Sequence, residues 1–188
     1  MKTLEKLNIA IPALPRPTLE ELQNEWNWIA RIEKDDSPET EVALEIGTVL
    51  KDGESRIGGR EYGKRRPAAC LGCQHAKWLV EHQDECPGFA ALLGKIYIDF
   101  PGLVVVRDGV GREVPYLNGV GGRWELRWDW ADDVLGPDGR VASFRKSAKP
   151  SDAGTPGRKP SAPRSLGSFE SRLSKVEKTL EKIREALK

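Results

Sequence analysis

The sequence is short of the features that usually announce a function. It contains no run of eighteen apolar residues, so no membrane-spanning helix is expected. Met1-Lys2-Thr3 leads into a polar segment with no apolar signal region, and the expectation is a soluble protein made in the cytoplasm. Net charge is almost absent: 30 Lys and Arg stand against 29 Asp and Glu, leaving +1, which excludes a global pull toward nucleic acid or an acidic membrane. There are only 3 cysteines, at 70, 73 and 86, and an odd, crowded set is not a disulfide framework. No Walker loop, strand-bound GxGxxG, GxSxG or HExxH is present. Asp99, Asp108, Asp129, Asp132 and Asp133 are the acids from which a hydrolytic pair would have to come, and their positions on strand faces and turns point to solvated carboxylates. A non-enzymatic chain is expected.

What is present begins at the C-terminal end. Leu166, Phe169, Leu173, Val176, Leu180, Ile183 and Leu187 fall alternately three and four apart, the period of a coiled-coil seam. Leucine fills the a positions, and Phe169, Val176 and Ile183 the d positions, a choice that disfavours two strands. A parallel trimer is expected, with a tetramer as the alternative. Ahead of the seam, residues 147–165 read SAKPSDAGTPGRKPSAPRS; prolines at 150, 156, 160 and 163 forbid regular helix or central strand there. This is a basic linker, not core.

The cysteines have the arithmetic of a metal site. In Cys70-Leu71-Gly72-Cys73 two intervening residues let both sulfurs converge while the glycine admits a tight turn, as in a zinc knuckle. His82 and Cys86 follow, and a helix over 77–85 places them on one face toward the knuckle. The expected cofactor is one structural zinc on Cys70, Cys73, His82 and Cys86, with His75 as the alternative ligand. Basic charge is local: Arg56, Arg60, Lys64, Arg65 and Arg66 make a candidate nucleic-acid contact, as does the linker.

The remaining pattern predicts an α+β fold with an N-terminal helix on a small antiparallel β-meander that carries the zinc knuckle, followed by the linker and a C-terminal coiled-coil helix. Residues 1–17 hold three prolines and read as an extended arm that lies along a neighbouring surface. Residues 18–146 form the domain, with its metal module at 70–86. Thr18 and Glu21 make a capping box, and Leu19, Leu22, Trp26, Ile29 and Ile32 continue a helical period to about Lys34. The period becomes two from Thr40 to Leu50, a half-buried strand. Strands are expected over 95–100, 103–107, 112–117, 123–130 and 140–144, with turns at Pro101-Gly102, Asp108-Gly109 and Asn118-Gly119. In 123–130 Trp124, Leu126, Trp128 and Trp130 share one face, which is either core or an exposed stacking platform.

Read together, these features predict a structural assembly protein, a zinc-stabilised trimeric component of a large particle such as a phage virion, in the role of a fibre adaptor or attachment protein. Its partners would be itself, through residues 166–188, and other proteins of the particle. The alternative is a zinc-containing nucleic-acid-binding regulator.

Overall fold

A computed structural model describes residues 2–5 and 7–146 of the chain. The linker at 147–165 and the heptad residues from Leu166 to Leu187 lie outside the described residues.

The expected fold class is overturned. The described chain is built on one mixed sheet of nine strands with a few short helices, not on a long N-terminal helix over a small antiparallel meander. The strands are β1 (Lys2–Glu5), β2 (Ala10–Ile11), β3 (Ile29–Asp35), β4 (Val42–Thr48), β5 (Tyr97–Asp99), β6 (Leu103–Arg107), β7 (Gly111–Val120), β8 (Arg123–Trp130) and β9 (Gly139–Lys146). The helices are α1 (Leu19–Glu25), α2 (Gly59–Arg65), α3 (Cys73–Glu81) and α4 (Pro87–Ala90).

The start of the N-terminal helix obeys its sequence signal. The Thr18 hydroxyl accepts the Glu21 amide at 3.2 Å, and the Glu21 carboxylate accepts the Thr18 amide at 2.8 Å. Its end does not: α1 stops at Glu25, and the residues expected to extend it form β3, antiparallel to β6. The reason lies in the register. Pairing of β3 with β6 slips between Ile29 and Arg31 and again between Ile32 and Lys34, so the inward residues recur every three instead of every two. A bulged strand thereby imitates a helical stripe. The N-terminal arm also differs from expectation, since β1 and β2 add antiparallel to β4 of the same chain.

Around β7 the sheet has an unusual plan. β8 runs along one side of β7, while the other side is lined by β5 and β6 in succession, two pieces of one strand interrupted at Pro101-Gly102. Beyond the interruption the two pieces have different neighbours: β5 pairs parallel with β9, and β6 pairs antiparallel with β3. The space between is closed by the Cys70–Gly72 segment. The Leu71 amide donates to Ala142 of β9 at 3.1 Å, and the Leu71 carbonyl accepts the Gly102 amide at 2.9 Å. The Gly102 carbonyl in turn accepts the Asp36 amide at 2.8 Å, just past β3. Buried backbone donors and acceptors left by the interruption thus find partners in an irregular loop.

Asn118-Gly119, expected as a hairpin loop, sits inside β7. The turn falls at Gly121-Gly122, whose φ values of 58° and 81° are the left-handed geometry that glycine tolerates best. Asp108-Gly109 does turn, with Gly109 at φ 65°.

Both faces of the sheet are covered. On one, Leu44, Ile46, Ile98, Leu117 and Ala142 pack with Leu79 of α3 and Phe89 of α4, and a neighbouring cluster joins Leu22 and Ile29 to Leu103 and Val105. On the other, Val49, Ile57, Tyr62, Leu135 and Val141 make a smaller cluster under α2. The β8 aromatics are core for most of their length. Trp124 is buried and stacks on Phe89 with centroids 4.9 Å apart, and Trp128 meets Trp26 and Trp28 edge-on at 5.1 and 5.6 Å. Trp130 at the strand end is 45% exposed.

A Cβ at Gly102 would stand 2.6 Å from the Cys70 carbonyl oxygen and 2.7 Å from that of Leu71, backbone that cannot swing aside. Gly102→Ala is expected to destabilise the fold by about 2–4 kcal/mol. Gly63, inside α2 with nothing within 4 Å of its would-be Cβ, supplies the control. Gly63→Ala should raise stability by about 0.5–1 kcal/mol. Urea unfolding of the two variants checks both, and similar midpoints would contradict the close approach at Gly102.

Candidate functional site

The structure separates the residues expected to hold zinc. Cys70 lies in the cluster with Val49, Ile57 and Tyr62, Cys73 in the cluster with Leu22, Ile29 and Leu103, and Cys86 against the main core. Burial pushes the Cys70 thiol up to about 11 and the Cys73 thiol up to about 12, so both are neutral thiols in this setting. Cys70 donates to the Pro67 carbonyl at 3.0 Å. His82 does not share a helical face with Cys86, because α3 ends at Glu81 and a single 3-10 turn, Gln83–Glu85, follows. The His82 ring stacks on Trp78 at 4.3 Å, and its Nδ1 lies 2.8 Å from the Trp78 carbonyl. His75 is fully buried; its Nδ1 accepts the Gly72 amide at 3.2 Å and its Nε2 has no hydrogen-bond partner. Among the described residues no three of His, Cys, Asp and Glu are grouped as a metal ion requires. The side chains of Cys70, Cys73, His82 and Cys86 are thus not gathered about one point as they stand, and the Cys70–Gly72 run provides the backbone patch between β9 and Gly102.

The basic residues are divided as well. Arg65 pairs with Glu54 at 2.6 Å and with Glu61 at 2.9 Å, and Lys64 lies 3.6 Å from Glu61. Arg56 and Arg60 are exposed. Arg66 lines a recess of about 250 Å³ together with Lys34, Asp36, Cys70 and Gly102, where Lys34 is paired with Asp36.

The most unusual chemistry lies on the far side of α2. In β5, Ile98 faces the main core, which turns Tyr97 and Asp99 toward α2. Asp99 is therefore a carboxyl in the middle of the sheet, between β9 and β7, and only 5% exposed. Its Oδ2 accepts the Tyr62 hydroxyl at 2.8 Å; its Oδ1 is buried and has no hydrogen-bond partner. Tyr62 is brought there by α2, which approaches the loop after β8 so closely that a Cβ at Gly59 would lie 1.8 Å from the Asp132 carbonyl oxygen. A two-way backbone bridge between Ile57 and Leu135, 3.0 Å in each direction, ties the same loop down. Tyr97 closes the side, its hydroxyl accepting the Gly136 amide at 3.0 Å.

These groups wall a recess of about 10 Å³, the size of one water-sized head group, rimmed by Asp129, Trp130, Asp133 and Val134. Burial pushes the Asp99 carboxyl up to about 7; the Tyr62 hydroxyl opposes the shift, while Asp129 and Asp133 add to it. Asp129 is raised for the same leading reason, opposed by the Trp130 amide that it accepts at 2.8 Å. Tyr62 is held far above the usual phenol range by burial and then by Asp99, so it stays a donor.

Trp130 and Val134 stand at the opening, and Val110 precedes Gly111 in the chain; exposed by 45%, 48% and 52%, these three are the large exposed hydrophobics among the described residues. Trp130 covers Gly111, where a Cβ would meet the ring at 2.9 Å. The sequence reading assigned Asp99 to the solvated acids. The missed signal was an acid two residues from Tyr97 in a strand whose alternate residues, Ile98 and Phe100, are both core. The chain matches no protein-family model, no curated protein and no solved structure.

Two outcomes follow. Asp99 holds its proton more tightly folded than unfolded, so from its ordinary value of 3.8 up to about 7 the native state carries more protons. Its contribution to stability is greatest at low pH and falls as pH rises through that window, by at most about 1.4 kcal/mol per pH unit. Asp99→Asn should remove this limb from the stability profile measured by urea unfolding; superimposable profiles would contradict the assignment. The purified chain should carry zinc well below one ion per chain by elemental analysis. Stoichiometric zinc that Cys73→Ser abolishes would restore the knuckle.

Proposed function

We propose that the chain is a non-enzymatic assembly protein that holds a protein partner at the Val110, Trp130 and Val134 apex. The observation that carries this reading is that Trp130 and Val134 rim one acidic recess while Val110 adjoins the glycine under the Trp130 ring, since scattered apolar residues are ordinary on a surface but a rimmed group marks a contact. An aromatic anchor among polar neighbours is the usual centre of binding energy. The recess itself favours binding over turnover. Its 10 Å³ is far below the roughly 300–1,000 Å³ of small-molecule sites. In the larger recess beside Arg66 the thiol of Cys70 is pushed up to about 11 and hydrogen-bonded, which makes it a poor nucleophile.

The heptad residues Leu166 to Leu187 support self-association, with a trimer as the expected state. Several copies on one axis would present several apices, and weak contacts made together become strong through effective concentration. A symmetric particle, such as a virion, is the destination that this organisation suits. The exposed pair Arg56 and Arg60 supports the second reading, contact with nucleic acid.

A photo-crosslinking amino acid placed at Val110 or Val134 of the full chain, in its native complex, should give the same defined partner adduct from both positions. The adduct should be lost on Trp130→Ser, and the exposed Lys95 position should give none. Adducts independent of Trp130 would end the apex reading. Binding to duplex DNA that weakens steeply between low and moderate salt would move the assignment to nucleic acid.

A further inference from the structure

The apex hydrophobics say that something docks, and the recess beneath them says what chemistry it brings. Three carboxyl groups, Asp99, Asp129 and Asp133, line the recess, and among the described residues no basic one does. The basic side chains of the adjoining strands are engaged elsewhere. Arg140 of β9 donates through Nη1 to the Pro137 and Gly139 carbonyls, each at 2.8 Å, while its buried Nε has no partner and the residue does not line the recess, and Arg127 of β8 pairs with Glu125 at 3.1 Å. Asp99 is 5% exposed, yet its Oδ1 has no donor, and a buried acceptor is costly unless something supplies one. The groups that fix Asp99 cannot supply it. The Tyr62 hydroxyl is spent on Oδ2, and the Tyr97 hydroxyl accepts from Gly136.

Charge calls for a cation, and size chooses which one. A space of about 10 Å³ takes a group as compact as a water molecule, which an ammonium is and a planar guanidinium is not. The three tetrahedral donors of an ammonium match an inner carboxylate oxygen and the acids at the rim. Outside the opening, Trp130 and Val134 offer an apolar track of the kind along which a four-carbon stem lies while its charge is held at the end. An aromatic ring beside the path favours a cation further.

We propose that the Asp99 recess is a receptor for a lysine side chain of the docking partner, the ammonium held among the carboxyls of Asp99, Asp129 and Asp133 and the stem covering Trp130 and Val134. This inference rests on the docking reading above and adds the residue type that the partner must present. The contact is selective by size against arginine and by charge against acetylated lysine.

The test uses the intact chain and three small probes: Nα-acetyl-lysine methylamide, its arginine counterpart, and the same lysine compound acetylated at Nζ. The indole N–H resonance of Trp130, assigned by its loss in Trp130→Phe, is followed by NMR during titration. The lysine probe should shift it saturably with millimolar affinity, the arginine probe at least about tenfold more weakly, and the acetylated probe not at all. Asp99→Asn should abolish the response. Should that variant not fold, Asp133→Asn removes an exposed rim carboxylate and should weaken the lysine probe several-fold. No saturable shift, or equal shifts from the charged and acetylated probes, would overturn the inference. If the probes fail while crosslinking from Val110 still depends on Trp130, the docking reading stands and the lysine receptor falls; failure of both removes both.

Discussion

Leu71 gives its amide to Ala142 and takes the Gly102 amide on its carbonyl, so one residue of an irregular loop completes both sides of an interrupted sheet. Nearly everything else is arranged around that join. Because β5 and β6 part company at Pro101-Gly102, β5 is free to pair in parallel with β9 while β6 keeps its antiparallel partner β3. Glycine is required at 102 because the Cys70 and Leu71 carbonyls lie within 2.7 Å of where a side chain would begin. The loop that makes the patch also delivers Cys73 and His75 to the start of α3, where both are buried.

The same plan creates the functional problem and the functional opportunity. Only three residues long and flanked on both sides, β5 carries Asp99 where a carboxylate meets little solvent. Burial of an acid is tolerated when its oxygens are satisfied, and here one is, through Tyr62. The second oxygen is buried without a partner, and the residue lines a recess whose rim is apolar and acidic at once. A fold that needed Asp99 only for stability would do as well with an apolar residue there. An acid retained with one oxygen unmet is what the proposed lysine receptor requires.

How far the sequence disclosed this depended on whether the signal was local. The capping box of Thr18 and Glu21, the boundaries of β6 and β8, and the Gly109 turn are set by neighbours in the chain and were legible. The length of α1 was not, because slips in the pairing of β3 with β6 gave Ile29 and Ile32 a helical spacing that no local rule distinguishes from the real thing. Asn118-Gly119 carries a strong turn signature, yet two consecutive glycines just beyond it turn instead. The spacing of Cys70, Cys73, His82 and Cys86 described a plausible ligand set, but α3 ends before it can bring His82 and Cys86 round to the knuckle. Asp99 was the deepest omission. Its burial is decided by β7 and β9, strands that stand on either side of it in space and well apart from it in sequence.

The central claim is that the fold holds the Asp99 carboxyl in a nearly dry, half-satisfied setting from which it ionises only near neutrality. Carbon-13 NMR of the side-chain carboxyls, followed from pH 3 to 9 in the intact chain with Asp99 assigned through Asp99→Asn, reads this directly. The account predicts a single Asp99 transition at about 7, well separated from the solvated acids. An Asp99 transition at about 4, among the ordinary carboxylates, would contradict it.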